Sequence, residues 1–228
     1  MNRLWAAGAV HAFTATGVVC GLLALVAALE RRLDVTFLWL GLAFVIDGID
    51  GYFARRADVK TVLPRFSGEQ LDLVVDYVTY VFVPAVALLR ADALAGGWGT
   101  ALAAAILLSS LFHFADTESK TGDHCFVGFP AIWNIVAFHI FALGLGRGAA
   151  TALVVVCVVL TFVPLKWVHP MRMRRLRPWT LAACALWALA ALSATLRGFP
   201  AAWPEQVALV AVAAYGLGLS ALWGRAQQ

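Results

Sequence analysis

Charge is what this sequence has least of. Only 13% of its 228 residues are Asp, Glu, Lys or Arg, while 62% are hydrophobic; a soluble domain averages roughly 25% charged residues. The 17 basic and 13 acidic side chains cannot form the polar shell that a water-soluble globule of this size needs, so the solvent is lipid. Cysteine is also sparse. Cys20, Cys125, Cys157 and Cys184 stand singly, mostly inside apolar runs and without CxxC spacing, which leaves no zinc-site or disulfide pattern and makes them small core residues. The net charge of +4 comes without a basic stripe interleaved with aromatics, so nucleic acid is not an expected partner. Repeats, low-complexity tracts and linkers are missing as well, and a single transmembrane domain over residues 1–228 is expected.

Apolar segments fall near residues 12–29, 35–54, 67–89, 98–115, 129–146, 149–168, 179–196 and 204–223. A membrane span takes about 20 apolar residues, so an all-α integral membrane protein of about eight transmembrane helices is predicted. Met1 to Val10 is read as a short interfacial segment. The first apolar stretch runs on to Leu29, longer than the 7 to 15 apolar residues typical of a signal peptide, and is read as retained. With eight spans both termini share one side. Twelve of the basic residues fall there, among them Arg55, Arg56, Lys60 and Arg172 to Arg177, against five opposite, which predicts cytoplasmic termini.

Four acidic residues stand where lipid should forbid them: Asp47, Asp50, Asp72 and Asp76. A mid-bilayer Asp costs about 2.5–3.5 kcal/mol on insertion scales, so something must compensate. Salt bridges, an ion pathway and a metal site are the three readings. Positions 47, 50, 51 and 54 follow i, i+3, i+4, i+7, one face of a helix; Gly68, Asp72 and Asp76 follow i, i+4, i+8 on the next. Consecutive antiparallel spans bring the two faces together at one depth, near the cytoplasmic boundary. Oxygen-only, negatively charged ligands suit Mg²⁺ or Mn²⁺, which bridge carboxylates to phosphates. Two such ions would clamp a phosphoryl group, and the small residues on the same faces give a substrate clearance to the backbone.

The full pattern, Asp47-x2-Asp50-Gly51-x2-Ala54-Arg55-x12-Gly68-x3-Asp72-x3-Asp76, resembles the signature of the CDP-alcohol phosphotransferases. These are membrane enzymes that move a phosphatidyl or phosphoalcohol group from a CDP-linked donor to a hydroxyl. The signature's common form has eight residues between Arg and Gly. The twelve present here are similar to the bacterial branch that joins CDP-diacylglycerol to free choline and releases CMP. Further likeness extends through Val10-His11, Thr14-Ala15, Leu63-Pro64, Gly128-Phe129-Pro130, Trp133-Asn134 and His169-Pro170. The resemblance implies that Asp47, Asp50 and Asp72 bind divalent metal, and that Asp76 contacts metal and acts as catalytic base on the acceptor hydroxyl. It also implies that Gly51, Ala54, Arg55 and Gly68 line the cytidine diphosphate pocket, with Thr14 as a further wall. A helical bundle, a homodimer and a place in the bacterial inner (cytoplasmic) membrane are implied too. No Ser, Cys or His is poised as a nucleophile, in keeping with direct transfer.

A quaternary ammonium acceptor is held by aromatic faces, and Tyr77, Tyr80, Phe129 and Trp133 are candidates at the right depth, with Asn134 reaching the hydroxyl. Packing or an interfacial belt is the competing reading for each. Lys120, in the polar loop 116–124, and Lys166, His169 and Arg172 are candidates for substrate phosphate or lipid; a solvated loop and a topology anchor explain the same residues without function. Serine, glycerol phosphate or inositol phosphate remain alternative acceptors. From another class, a divalent-cation transporter would also bury carboxylates.

Overall fold

The computed structural model describes residues 3–116, 126–164, 166–167 and 176–226, with the backbone alone at 126–127, 166–167 and 221–226. Helix α1 (Arg3–Leu29) is followed by α2 (Leu33–Arg56), the single turn α3 (Val59–Val62), α4 (Gly68–Asp76), a π-helical turn (Tyr77–Phe82) and α5 (Val83–Arg90). Then come α6 (Gly99–Ala115), α7 (Trp133–Ala142), α8 (Arg147–Thr161), α9 (Arg177–Arg197) and α10 (Trp203–Ala226). A two-residue antiparallel bridge, Phe126 opposite Trp167 and Val127 opposite Lys166, is a detail on an all-α membrane bundle.

Each expected apolar segment contains a helix, but their lengths differ from the expectation. Among the described residues, three are long and apolar enough to cross a membrane by themselves: Arg3–Leu29, Gly68–Arg90 and Arg177–Arg197. Helix α7, in the segment expected over 129–146, has only 10 residues, about 15 Å at 1.5 Å per residue, half of a hydrocarbon core. Nor does the N-terminal segment stand apart: α1 runs unbroken for 27 residues, since nothing between Arg3 and Ala12 interrupts a helix. Leu4 and Trp5 on its first turns are exposed.

Outward-facing apolar side chains are the rule, from Leu22 and Val19 on α1 to Leu108 on α6, Val159 on α8 and Leu189 on α9. The inward face of α1 is built instead on small residues. The buried side of α1 is Ala7, Thr14, Gly17, Cys20, Gly21, Ala24, Ala27 and Ala28, a small-residue stripe of the kind that lets membrane helices approach closely. It lies along α2 and against α4, the π turn and α5. Of the free cysteines described, Cys20 and Cys157 are buried as expected, whereas Cys184 faces outward.

The π turn sits in the middle of the third apolar segment, directly after Asp76. Pro84 explains it. Proline has no N–H to return to the carbonyl one turn back and its ring crowds that carbonyl, and a widened turn relieves the conflict. The Thr79 hydroxyl donates to the Val75 carbonyl at 2.9 Å, which satisfies part of the disrupted ladder.

Two glycines set the distance between α1 and this segment. A Cβ on Gly17 would lie 2.6 Å from Cγ1 of Val75, and one on Gly21 would lie 2.9 Å from Cγ1 of Val78. Gly17→Ala gains about 1 kcal/mol of helix propensity but overpacks a branched side chain, at a cost of about 1–3 kcal/mol. It is therefore expected to lower the melting temperature of the detergent-solubilised protein, and Val75→Ala in the same chain is expected to recover most of the loss.

Candidate active site

Helices α2 and α4 run antiparallel. The twelve residues between Arg55 and Gly68 contain the extra turn α3, entered through Asp58 in the left-handed region (φ 50°). Ser67 caps α4 by accepting the Gln70 backbone N–H, so Gly68 starts the helix and Asp72 falls one turn in. Among the described residues, Asp47, Asp50 and Asp72 each offer a carboxylate oxygen within 4.8 Å of the others. Asp76 stands one turn further along and outside this group, with its Oδ1 enclosed.

Asp50 is 7% exposed, and Asp47 and Asp72 are half-buried. The Thr14 hydroxyl donates to Asp50 Oδ2 at 2.8 Å, and the Tyr80 hydroxyl donates to Asp47 Oδ2 at 2.6 Å. No arginine or lysine among the described residues forms an ion pair with Asp47 or Asp50; the surface pairs Arg3–Asp58 and Lys60–Glu69 lie in the loops beside them. Salt bridging therefore does not compensate these two carboxylates. Three hard, anionic oxygen donors within 4.8 Å of one another fit a divalent metal ion.

Arg55 folds back over Gly51, its Nη1 3.4 Å from where a Cβ would sit, and Gly68 faces the His11 ring at 3.4 Å. Ala54 is half-buried and Arg55 exposed, consistent with an anion-binding edge. The His11 Nε2 is enclosed without a hydrogen-bond partner. It occurs one turn before Thr14 and is brought to Gly68 by tertiary packing, which sequence spacing does not reveal.

The aromatic candidates divide. Trp133 is fully enclosed (0% exposed), its indole N–H donates to Ser110 Oγ at 2.7 Å, and its ring meets Phe129 edge-on at 5.0 Å. Phe129 is buried as well. Both rings are engaged in packing, so the cage expected from these two is not formed here. Asn134 is buried and its Oδ1 accepts the Ile135 N–H, a local bond within the first turn of α7. Tyr77 is half-buried, donates to the Leu107 carbonyl at 2.9 Å and meets Phe114 edge-on. Tyr80 lies in the field of Asp47, Asp76 and Asp72 together. Lys120, His169, Arg172 and the side chain of Lys166 lie outside the described residues. A cavity of about 180 Å³ at the α5–α6 turn, lined by Leu88, Asp92 and Gly97, is at the far end of the third apolar segment from the carboxylates and holds none of this chemistry.

Fold and site together define an all-α membrane protein with a carboxylate cluster suited to a divalent ion, positioned by its second and third apolar segments. Comparison with curated proteins narrows this. The chain is 43% identical over 208 residues to phosphatidylcholine synthase of Rhizobium meliloti, covering 91% of this chain and 85% of that protein. To phosphatidylcholine synthase of Pseudomonas aeruginosa it is 40% identical over 220 residues, covering 96% and 92%. To that of Bradyrhizobium diazoefficiens it is 45% identical, covering 91% and 78%. No protein-family model matches the chain. The chain belongs to the phosphatidylcholine synthase family, and thereby to the membrane-bound transferases of phospholipid biosynthesis.

Because Trp133 supports the core, Trp133→Phe is expected to remove the bond to Ser110 and cost about 1–3 kcal/mol. The melting temperature should fall while the choline KM stays at its wild-type value; a raised KM with unchanged stability would return the ring to the substrate.

Proposed function

We propose that this chain transfers the phosphatidyl group of CDP-diacylglycerol to the hydroxyl of free choline, forming phosphatidylcholine and releasing CMP. The observation that carries this reading is the convergence of Asp47, Asp50 and Asp72 in a chain more than 40% identical to phosphatidylcholine synthases. Mn²⁺ or Mg²⁺, two ions per site, held by these three residues with Asp76 as a further ligand, would neutralise the diphosphate and the departing CMP.

The chain's own residues do the rest. Asp76, apart from the cluster, takes the proton from the choline hydroxyl. The choline oxygen then bonds to the phosphorus that carries diacylglycerol, the bond from that phosphorus to the CMP oxygen breaks, and CMP leaves as the anion. Arg55, folded over Gly51, holds the diphosphate, while Gly51, Ala54 and Gly68 admit the nucleotide to the helix backbones. Of the aromatic candidates, Tyr77 and Tyr80 are the ones placed on the segment that carries Asp72 and Asp76, and they remain the proposed contacts for a quaternary ammonium. Residues 1–228 form one catalytic domain in the bacterial inner membrane. Its termini and active site face the cytoplasm, so choline and metal arrive from water and the donor from the lipid.

The test is CMP release by the purified protein with CDP-diacylglycerol and each alcohol in turn. Activity with choline, abolished by EDTA and restored by Mn²⁺ or Mg²⁺, is expected; activity only with serine, glycerol phosphate or inositol phosphate would reject choline. Cation flux in liposomes without CMP release would favour a transporter. Asp76→Asn is expected to lower turnover by at least 100-fold, the lower range for loss of a general base, while metal-dependent binding of the CDP-lipid persists. Full activity of that variant would remove Asp76 as the base.

A further inference from the structure

Two neutral hydroxyls reach the acidic cluster from different elements. Thr14, buried on α1, donates to Asp50 Oδ2 at 2.8 Å. Tyr80, 8% exposed within the π turn, donates to Asp47 Oδ2 at 2.6 Å. Each carboxylate of α2 thus has one oxygen engaged by a hydroxyl from another element. We propose that Thr14 and Tyr80 are positioning residues, a hydroxyl clamp that orients Asp47 and Asp50 toward divalent metal. The inference rests on the metal-binding reading given above.

Charge is the first argument for the clamp. An arginine or lysine in the same place would orient the carboxylates equally well but would cancel the negative charge that attracts the metal and would compete with it. A hydroxyl supplies direction and leaves the charge intact. Outer partners of this kind tune affinity because they hold a ligand in its binding rotamer.

Helix geometry supplies the second argument. An α-helix turns about 100° per residue, so eight steps from Asp72 to Tyr80 would leave them about 80° apart around the axis. The wider π turn after Asp76 takes up most of that drift and returns Tyr80 to the face of Asp72, opposite Asp47. Pro84, by widening the turn, thereby places the phenol on the cluster. Phe44 flanks the Tyr80 ring at 6.0 Å between centroids and limits its swing. On α1, the Thr14 hydroxyl also lies 3.3 Å from the Val10 carbonyl, but the shorter contact goes to the charged acceptor, the stronger kind of hydrogen bond.

The experiment measures Mn²⁺ binding to the detergent-purified full chain without substrate, by the loss of the free Mn²⁺ electron paramagnetic resonance signal. Tyr80→Phe, Thr14→Val and Thr14→Ser are compared with wild type. Tyr80→Phe keeps the ring and removes only the hydroxyl, so a role of the aromatic face toward choline is left untouched. Tyr80→Phe and Thr14→Val are each expected to weaken Mn²⁺ binding by about 10–100-fold, and Thr14→Ser to stay near wild type. In turnover, the Mn²⁺ concentration giving half-maximal rate should rise by a similar factor, with kcat approached again at saturating metal. Unchanged Mn²⁺ affinity in Tyr80→Phe and Thr14→Val overturns the clamp alone, and so does a loss in Thr14→Val that Thr14→Ser does not rescue. Absence of Mn²⁺ binding in wild type overturns the metal reading and the clamp with it.

Discussion

Mutual repulsion of clustered carboxylates is the constraint around which this bundle is arranged. Three of them lie within 4.8 Å of one another, and two unit charges at that distance repel by about 3.5 kcal/mol even at an effective dielectric of 20. No arginine or lysine among the described residues relieves Asp47 or Asp50 by an ion pair. Two hydroxyls orient those carboxylates without discharging them. A site of this kind is poised for an external cation and for the phosphates that such a cation carries. Its negative charge, costly to the free protein in lipid, therefore also supplies its affinity.

Close helix approach is what makes the cluster possible. The small residues along α1 let α2, α4 and the π turn pack against one helix, so that side chains as short as Thr14 and Asp50 can touch. A larger residue at Gly17 would press on Val75 of α4, the helix that carries Asp72, and one at Gly21 would press on the π turn at Val78 and Thr79. The π turn acts in the same direction by rotating Tyr80 onto the face that Asp72 occupies. Stability and function are therefore linked in this part of the bundle, whereas α9 and α10 pack on each other and reach α2 mainly through α9.

Much of the site was legible along the chain, because helical periodicity translates spacing directly into a shared face. Asp47 and Asp50 on one helix and Asp72 on the next were placed together by that argument alone. Asp76, one turn further along the same helix, falls outside the 4.8 Å group. The Trp133 and Phe129 rings were chosen for their chemistry and for the segment in which they lie. Whether a ring faces a substrate or the core depends on the opposing helix, here Ser110 on α6, and no local pattern encodes that. The 10-residue length of α7 is not legible in its segment for a related reason: an apolar run records what is buried or lipid-facing, not where the helix within it stops.

By itself, then, the sequence determined the solvent, through its scarcity of charge, and the two acidic helix faces, through the 3.6-residue repeat. It also contained Pro84, the cause of the π turn, although the consequence of that proline depends on what the widened turn faces. Only the tertiary structure decided which partners the carboxylates receive. Thr14 and Asp50 are 36 residues apart, and Tyr80 and Asp47 are 33 apart. A hydrogen bond requires contact within about 3 Å, a distance that helix packing sets and sequence spacing does not.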